Sequence, residues 1–327
     1  MALVLSEDQQ LLRDSARHFC QDNAPISVVR RLRDEKSELG YDEAIWRQMI
    51  ELGWPGMAIA EKYGGFEFGY TGLGLVLEET GRTLASSPLI SSVLLGASLL
   101  SEAGNEEQKS KLLPQIVAGD LRLAVGVDEG PHHAPSRVAC SAVKEGTEYI
   151  LTGTKSFILD GQTADKLLVS ARTSGEPYSE GGISLFMLDA NAQGLQIQRT
   201  TMVDSRNAAN LVMDQVRVSE DSLLGVEGAG FTALDTTLDI ARIGVASEML
   251  GSVQEVFQRI VEYLKQREQF GVQIVLSSEG DESLIGRFEN VEVRNTGQGL
   301  KLGKYPLHFH LVGEVKQSYI ANCSVHH

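Results

Sequence analysis

Tyr149-Ile150-Leu151-Thr152-Gly153 is a short run of aromatic and β-branched residues closed by a glycine. That is the composition of a strand. Similar runs follow at Leu167-Leu168-Val169-Ser170, Ile183-Ser184-Leu185-Phe186-Met187 and Leu211-Val212-Met213, separated by turns bearing Gly and Asp. Together they predict a small antiparallel barrel or sandwich beginning near Leu121. The rest of the chain is arranged around it.

On the N-terminal side the pattern is helical up to about Gly119. Ser6-Glu7-Asp8-Gln9 reads as a capping box, followed by Leu11, Leu12, Ser15, Ala16 and Phe19 at helical spacing. Tyr63-Gly64-Gly65 and Gly69 interrupt the chain before an apolar helix from Leu73 to Thr83. Asn105 caps a further helix, Glu106 to Leu113, which Pro114 is expected to close.

On the C-terminal side helix returns at about Gly230. Leu238, Ala241, Val245, Met249, Val253, Val256, Ile260 and Leu264 recur every three or four residues, and Ala246, Leu250, Phe257 and Val261 flank them. Such wide apolar coverage predicts a largely buried helix. Beyond Ile274 the period changes to two. Val291 and Val293 alternate with Glu292, and Leu307, Phe309 and Leu311 alternate with His308 and His310. Asn290-Val291-Glu292-Val293 and Asn322-Cys323-Ser324-Val325 form a weak internal repeat. The first 274 residues carry 24 basic and 38 acidic groups and the last 53 carry 5 and 6, so the charge texture shifts at the same place. The expected fold class is α+β: an N-terminal helical domain (1–120), a middle antiparallel β-barrel domain (121–227), the start of a C-terminal helical bundle (228–274) and a short β-helix-like tail (275–327).

A chain of 327 residues with 42% apolar and 22% charged residues reads as globular. The net charge of −15 argues against nucleic acid or an anionic membrane as a partner. The first residues lack the pattern of a secretory signal, and no apolar run is long enough to span a bilayer. Three scattered cysteines, Cys20, Cys140 and Cys323, do not make a disulfide framework or a zinc site. A cytoplasmic setting is the expectation.

Two charged residues, Asp239 and Arg242, stand three apart on the otherwise apolar helix. They serve either as a structural ion pair or as ligand contacts. His132-His133 lies in a Gly/Pro loop beside Asp128 and Glu129, and a solvated loop is a better reading of it than a metal cluster. His308, His310, His326 and His327 read as polar residues of strands. No dinucleotide-binding glycine motif stands between a strand and a helix, and no Ser or Cys nucleophile arrangement is present.

Several local phrases, in this order, resemble the acyl-CoA dehydrogenase family. They are Glu61-Lys62-Tyr63-Gly64-Gly65, Glu78-Glu79-Thr80-Gly81-Arg82, Gly104-Asn105-Glu106-Glu107-Gln108, Gly153-Thr154-Lys155-Ser156-Phe157-Ile158 and Arg267-Glu268-Gln269-Phe270-Gly271. The resemblance implies a flavoprotein that binds FAD, acts on an acyl-CoA substrate and assembles as a homo- or hetero-oligomer. It places Val127 and Asp128 at the flavin ring, Phe157 where an aromatic covers the flavin, and Leu159 where Thr is common. Arg267, Gln269 and Phe270 fall where a neighbouring subunit's FAD is contacted. Asp239 and Arg242 fall on the helix lining the acyl-CoA pocket.

Two departures bear on chemistry. The family's Thr-Glu-Pro and Gly-Ser-Asp loop stands here as Asp128-Glu129-Gly130-Pro131-His132-His133. The family's catalytic carboxylate lies either late in the C-terminal bundle, beyond the point where the pattern stops near Ile274, or directly before the pocket arginine, where this chain has Ala241. No catalytic residue is therefore assigned from the resemblance, and an impaired or non-catalytic protein is the expectation, with docking on a complete paralogue as one alternative. The tail resembles a different family, the right-handed β-helix of fibrocystin-like and hyaluronan-depolymerising surface proteins, through Gly299 to His310 and Ser318 to His327. Read as the functional part, the tail would imply a surface protein that interacts with carbohydrate.

Overall fold

The structure is a computed structural model that describes residues 4–66, 68–204 and 206–266, together with six short strands between Ile274 and His326. The chain divides into two compact units, Met1–Glu255 and Val256–His327.

The first unit opens with helices α1 (Glu7–Asn23), α2 (Ile26–Asp34), α3 (Glu43–Glu51) and α4 (Gly69–Thr83). The Ser6 hydroxyl accepts from the Gln9 N–H while the Gln9 side chain accepts from the Ser6 N–H, so the expected capping box forms. Helix α4 packs on α1, and Glu79 is sealed between them. Its carboxylate receives two hydrogen bonds from Arg17, at 3.1 and 2.8 Å, and lies 2.9 Å from Arg82 Nε. A buried carboxylate is tolerated there because two guanidiniums neutralise it.

The apolar run Leu89–Ala97 is a π-helical segment that continues into α5 (Ser98–Ala103). It is buried in the N-terminal core with Met49, Leu73 and Val76. Helix α6 (Glu106–Val117) starts on the expected Asn105 cap but runs past Pro114. Pro114 removes one N–H from the helix, which ends three residues later, and its carbonyl still accepts from the Ala118 N–H.

The middle of the chain builds an eight-stranded sheet: β1 (Leu123–Gly126), β2 (Ser141–Glu145), β3 (Glu148–Leu159), β4 (Lys166–Arg172), β5 (Ile183–Asp189), β6 (Leu195–Thr201), β7 (Asn207–Ser219) and β8 (Leu223–Leu224). The strand order is β6-β7-β3-β2-β4-β5-β8, with β1 beside β4. The sheet is mixed rather than purely antiparallel: β1 and β2 both run parallel to β4. Strand β1 arrives from the helical layer instead of from a hairpin, so nothing obliges it to reverse direction. The sheet has its own core around Tyr149, Leu151, Leu167, Phe186 and Met213.

Pairing of β3 with β7 shifts register twice, between Leu151 and Gly153 and between Lys155 and Ile158. The second irregularity puts Phe157 at φ +58, a left-handed conformation rare for a bulky residue. The ring, 62% exposed, is turned out of the sheet.

Helix α7 (Phe231–Gln266) closes the first unit and runs on into the second. Leu234, Leu238 and Ala241 are buried. The expectation of a largely buried helix fails beyond that point, because Ile243, Met249, Leu250 and Val253 are 48–69% exposed. Two apolar stripes make a buried helix only when other elements cover both, and within the first unit the helical and β layers cover one side. No helix of the described residues is long and apolar enough to cross a membrane.

The second unit carries six strands besides the end of α7: β9 (Ile274–Ser277), β10 (Arg287–Glu289), β11 (Glu292–Arg294), β12 (Leu307–His310), β13 (Tyr319–Ala321) and β14 (Ser324–His326). All three pairings are parallel, and each joins strands 32 or 33 residues apart: Ile274 with Leu307, Arg287 with Tyr319, Glu292 with Ser324. A constant offset with parallel pairing is the connectivity of a β-helix with three strands per turn. The register Glu292–Ser324 and Val293–Val325 follows the internal repeat read from the sequence.

Candidate active site

The segment after β1 and strand β7 both hold the part of β3 that carries the turned-out Phe157. Strand β1 ends at Gly126 and leads into Val127, which is buried, and Asp128. The Asp128 carbonyl accepts from the Ser156 N–H at 2.7 Å, and the Phe157 N–H donates to Asn210 Oδ1 at 2.8 Å. The bulge is therefore fixed on one side by β1 and on the other by β7. A strained conformation held from both sides is the kind of feature that clusters at functional sites.

The loop after Asp128 is anchored from beneath. Lys155, fully buried, donates to Glu129 Oε1 at 2.7 Å, to Ser170 Oγ at 2.9 Å and to the Val127 carbonyl at 3.2 Å. Glu129 also accepts from the Ala139 and Cys140 N–H groups. Burial pushes the Glu129 carboxyl up, but Lys155 and those two N–H groups outweigh it and hold the carboxyl below the ordinary range. The Gly153-Thr154-Lys155 phrase drew attention to this stretch, yet nothing in the sequence pairs Lys155 with Glu129.

Helix α7 is joined to the loop through His133. Its Nδ1 lies 2.9 Å from Asp128 Oδ2, and its Nε2 lies 3.5 Å from Arg242 Nη2. Arg242 in turn donates to Asp239 Oδ1 at 2.5 Å. Asp239 and Arg242 thus form the ion pair that their spacing allows, but at least half of each side chain is exposed. The solvated-loop reading is half right. His133 is half-exposed, yet it bridges two of the residues singled out separately, Asp128 and Arg242. Among the described residues no group of three His, Cys, Asp or Glu side chains is placed to hold a metal ion.

Leu159 is set apart from this cluster. It packs against the N-terminal core and lines a cavity of about 20 Å³ with Asp160, Arg206, Asn207 and Glu248. Ala241, directly before Arg242, is buried in the N-terminal core. Arg267, Gln269 and Phe270 lie outside the described residues.

Comparison with known proteins agrees with this architecture. Residues 6–120 match the model of the acyl-CoA dehydrogenase N-terminal domain, 130–216 the middle domain and 228–280 the C-terminal domain. An acyl-CoA dehydrogenase of Bacillus subtilis is 30% identical over 275 residues, covering 82% of this chain and 71% of its own. The chain belongs to the acyl-CoA dehydrogenase family. A rat mitochondrial short/branched chain specific acyl-CoA dehydrogenase is 28% identical, with 83% of this chain and 63% of that protein covered. Butyryl-CoA dehydrogenase from Megasphaera elsdenii superposes with a TM-score of 0.74 at 29% identity, covering 83% of this chain and 72% of that one. The structure of a glutaryl-coenzyme A dehydrogenase in complex with glutaryl-CoA gives 0.75 at 26%, covering 83% and 70%. Residues 269–327 match a separate model, the CEMIP beta-helix, in line with the strand connectivity of the tail.

Proposed function

We propose that this acyl-CoA dehydrogenase family member binds FAD beside Phe157 and an acyl-CoA thioester along α7, and that it acts on the bond between the α and β carbons of the acyl group. The observation that carries this reading is the bulged β3, which presents an exposed aromatic ring beside Asp128, the residue that His133 links to Arg242 of α7. A flat apolar ring held rigidly at the surface is a platform for a planar cofactor. Val127 would supply apolar contact, and the Asp128 and Phe157 backbones are already fixed by their hydrogen bonds, so these residues fit the flavin ring. Arg267, Gln269 and Phe270 would contact FAD across an oligomer contact, and Asp239 and Arg242 would face the thioester. When bound, the flavin supplies a hydride acceptor.

What the chain itself supplies is orientation and charge. Arg242, held by Asp239, offers a guanidinium to a thioester oxygen, and such polarisation is what makes an α-proton removable. With Ala241 in place of a carboxylate, this position supplies no base, so turnover depends on a base from another residue. A positioned base typically contributes on the order of 10²–10⁴-fold.

The exposed apolar face of α7 supports a second element of the reading, that the protein works as a homo- or hetero-oligomer in which another chain covers that face.

The test is an absorbance spectrum of the purified protein followed by a dye-linked assay over a range of acyl-CoA chain lengths. Bound flavin with slow turnover is expected. A protein that takes up neither FAD nor any acyl-CoA would sink the proposal.

A further inference from the structure

The chain from Asp128 through His133 to Arg242 has a chemical direction. The Asp128 carboxylate is immobilised, since Oδ1 accepts from the Ala134 N–H at 2.8 Å while Oδ2 faces His133 Nδ1. A guanidinium can only donate. The Nε2 that faces Arg242 must therefore carry the lone pair, and Nδ1 carries the hydrogen, donated to Asp128. A carboxylate fixing the tautomer of a histidine so that its other nitrogen keeps a lone pair is the arrangement of a general base.

The group opposite that lone pair decides what the base could act on. Arg242 is a cation already balanced by Asp239, and the Asp128 carboxylate lies on the far side of the His133 ring. The pair is therefore a poor trap for a free anion. A base beside an electrophile instead suits a substrate whose acidic hydrogen sits on the carbon next to a charge-accepting carbonyl. The α-carbon and carbonyl oxygen of a thioester have that relation.

We propose that His133 is the catalytic base of this chain, taking the α-proton of an acyl thioester while Arg242 holds the carbonyl oxygen; this rests on the acyl-CoA reading above. The substrate enters between the two side chains and replaces their long, weak contact. The α C–H bond breaks and its proton passes to Nε2. The electron pair left behind forms the carbon–carbon double bond of an enolate, whose negative charge settles on the oxygen facing Arg242. Asp128 stabilises the imidazolium. Return of a proton from His133 regenerates the thioester, so the step is balanced without an oxidant and can be followed on its own.

The experiment uses the full chain in D₂O with butyryl-CoA as probe. Deuterium entering the α-carbon is read by mass spectrometry, and butyryl-CoA binding is measured separately by calorimetry. The wild-type chain should bind and exchange. His133→Gln should bind comparably but exchange on the order of 10²–10⁴-fold more slowly. Asp128→Asn should lose less, and His132→Gln, a neighbour with no part in the relay, should behave as wild type. Circular dichroism of each variant checks the fold. Exchange by His133→Gln at the wild-type rate would overturn the assignment, as would binding without exchange in the wild-type chain, and both outcomes leave the acyl-CoA reading standing. Absence of binding would overturn both.

Discussion

Asp160 shows what a single residue can cost. It sits at φ +55 with its carboxyl buried, accepting from Ser91 Oγ at 2.5 Å. Burial raises its pKa to about 6, although the Ser91 hydrogen bond and the nearby charges of Arg206 and Arg122 pull the other way. A carboxyl whose folded value is raised destabilises the fold once it ionises. Stability is therefore undiminished below the unfolded value near 4, falls between roughly pH 4 and 6, and stays reduced above. The loss amounts to roughly 3 kcal/mol. Asp160→Asn keeps the shape, suits the left-handed backbone and removes the charge. Urea denaturation should show the variant more stable than wild type by about that amount at pH 8, with the gain vanishing at pH 4; a gain independent of pH would contradict the assignment. At this scale the sequence was legible only in part. Asp128, Phe157 and Arg242 were singled out through the family resemblance, whereas the His133 bridge joins positions 109 apart and leaves no local signal. Leu159 was singled out through the same resemblance, and its side chain packs against the N-terminal core.

Secondary elements were easier to read than their surroundings. The apolar, β-branched runs of β3, β4 and β5 and the caps of α1 and α6 act locally, so a single sequence shows them. The parallel pairing of β1 depends on how the helical layer delivers the chain, and the exposure of α7 depends on which elements are present to cover it. Both are tertiary facts. The anchor beneath the active-site loop is another. Removing Lys155 by Lys155→Met would leave the Glu129 carboxylate buried against two N–H groups without its cation. A cost of about 3–5 kcal/mol is expected, measurable as a lower denaturation midpoint, and a variant as stable as wild type would mean that the pair is not buried in solution. On α7, Met249→Lys combined with Val253→Lys touches only exposed positions. Stability of the isolated chain should change little, while sedimentation should show weaker self-association than wild type. Unchanged association would place the contact elsewhere.

At the scale of the whole molecule, the sequence marked a change of texture near Ile274, and the structure divides the chain at Glu255 and Val256, partway along α7. The two positions differ because a change of periodicity is a property of the local sequence, whereas a compact unit is defined by which residues touch. Both hydrophobic clusters described for this chain draw their members from positions up to Val245. The second unit contributes strands in three parallel pairs, the equivalent of two turns of a β-helix. Solenoids gain stability from stacked neighbours, and at least three repeats are normally needed before the stack holds together. Cooperative unfolding of this protein should therefore be set by residues 4–255. A chain ending at Gln266, which keeps α7 whole, should melt with the same midpoint and enthalpy as the full chain when both are followed by helical circular dichroism and calorimetry. It should also bind butyryl-CoA with the same affinity, since Asp128, His133, Asp239 and Arg242 are all retained. A drop of several degrees in the shortened chain would show that the β-helical turns stabilise the dehydrogenase-like unit, and the tail would then count as part of its fold.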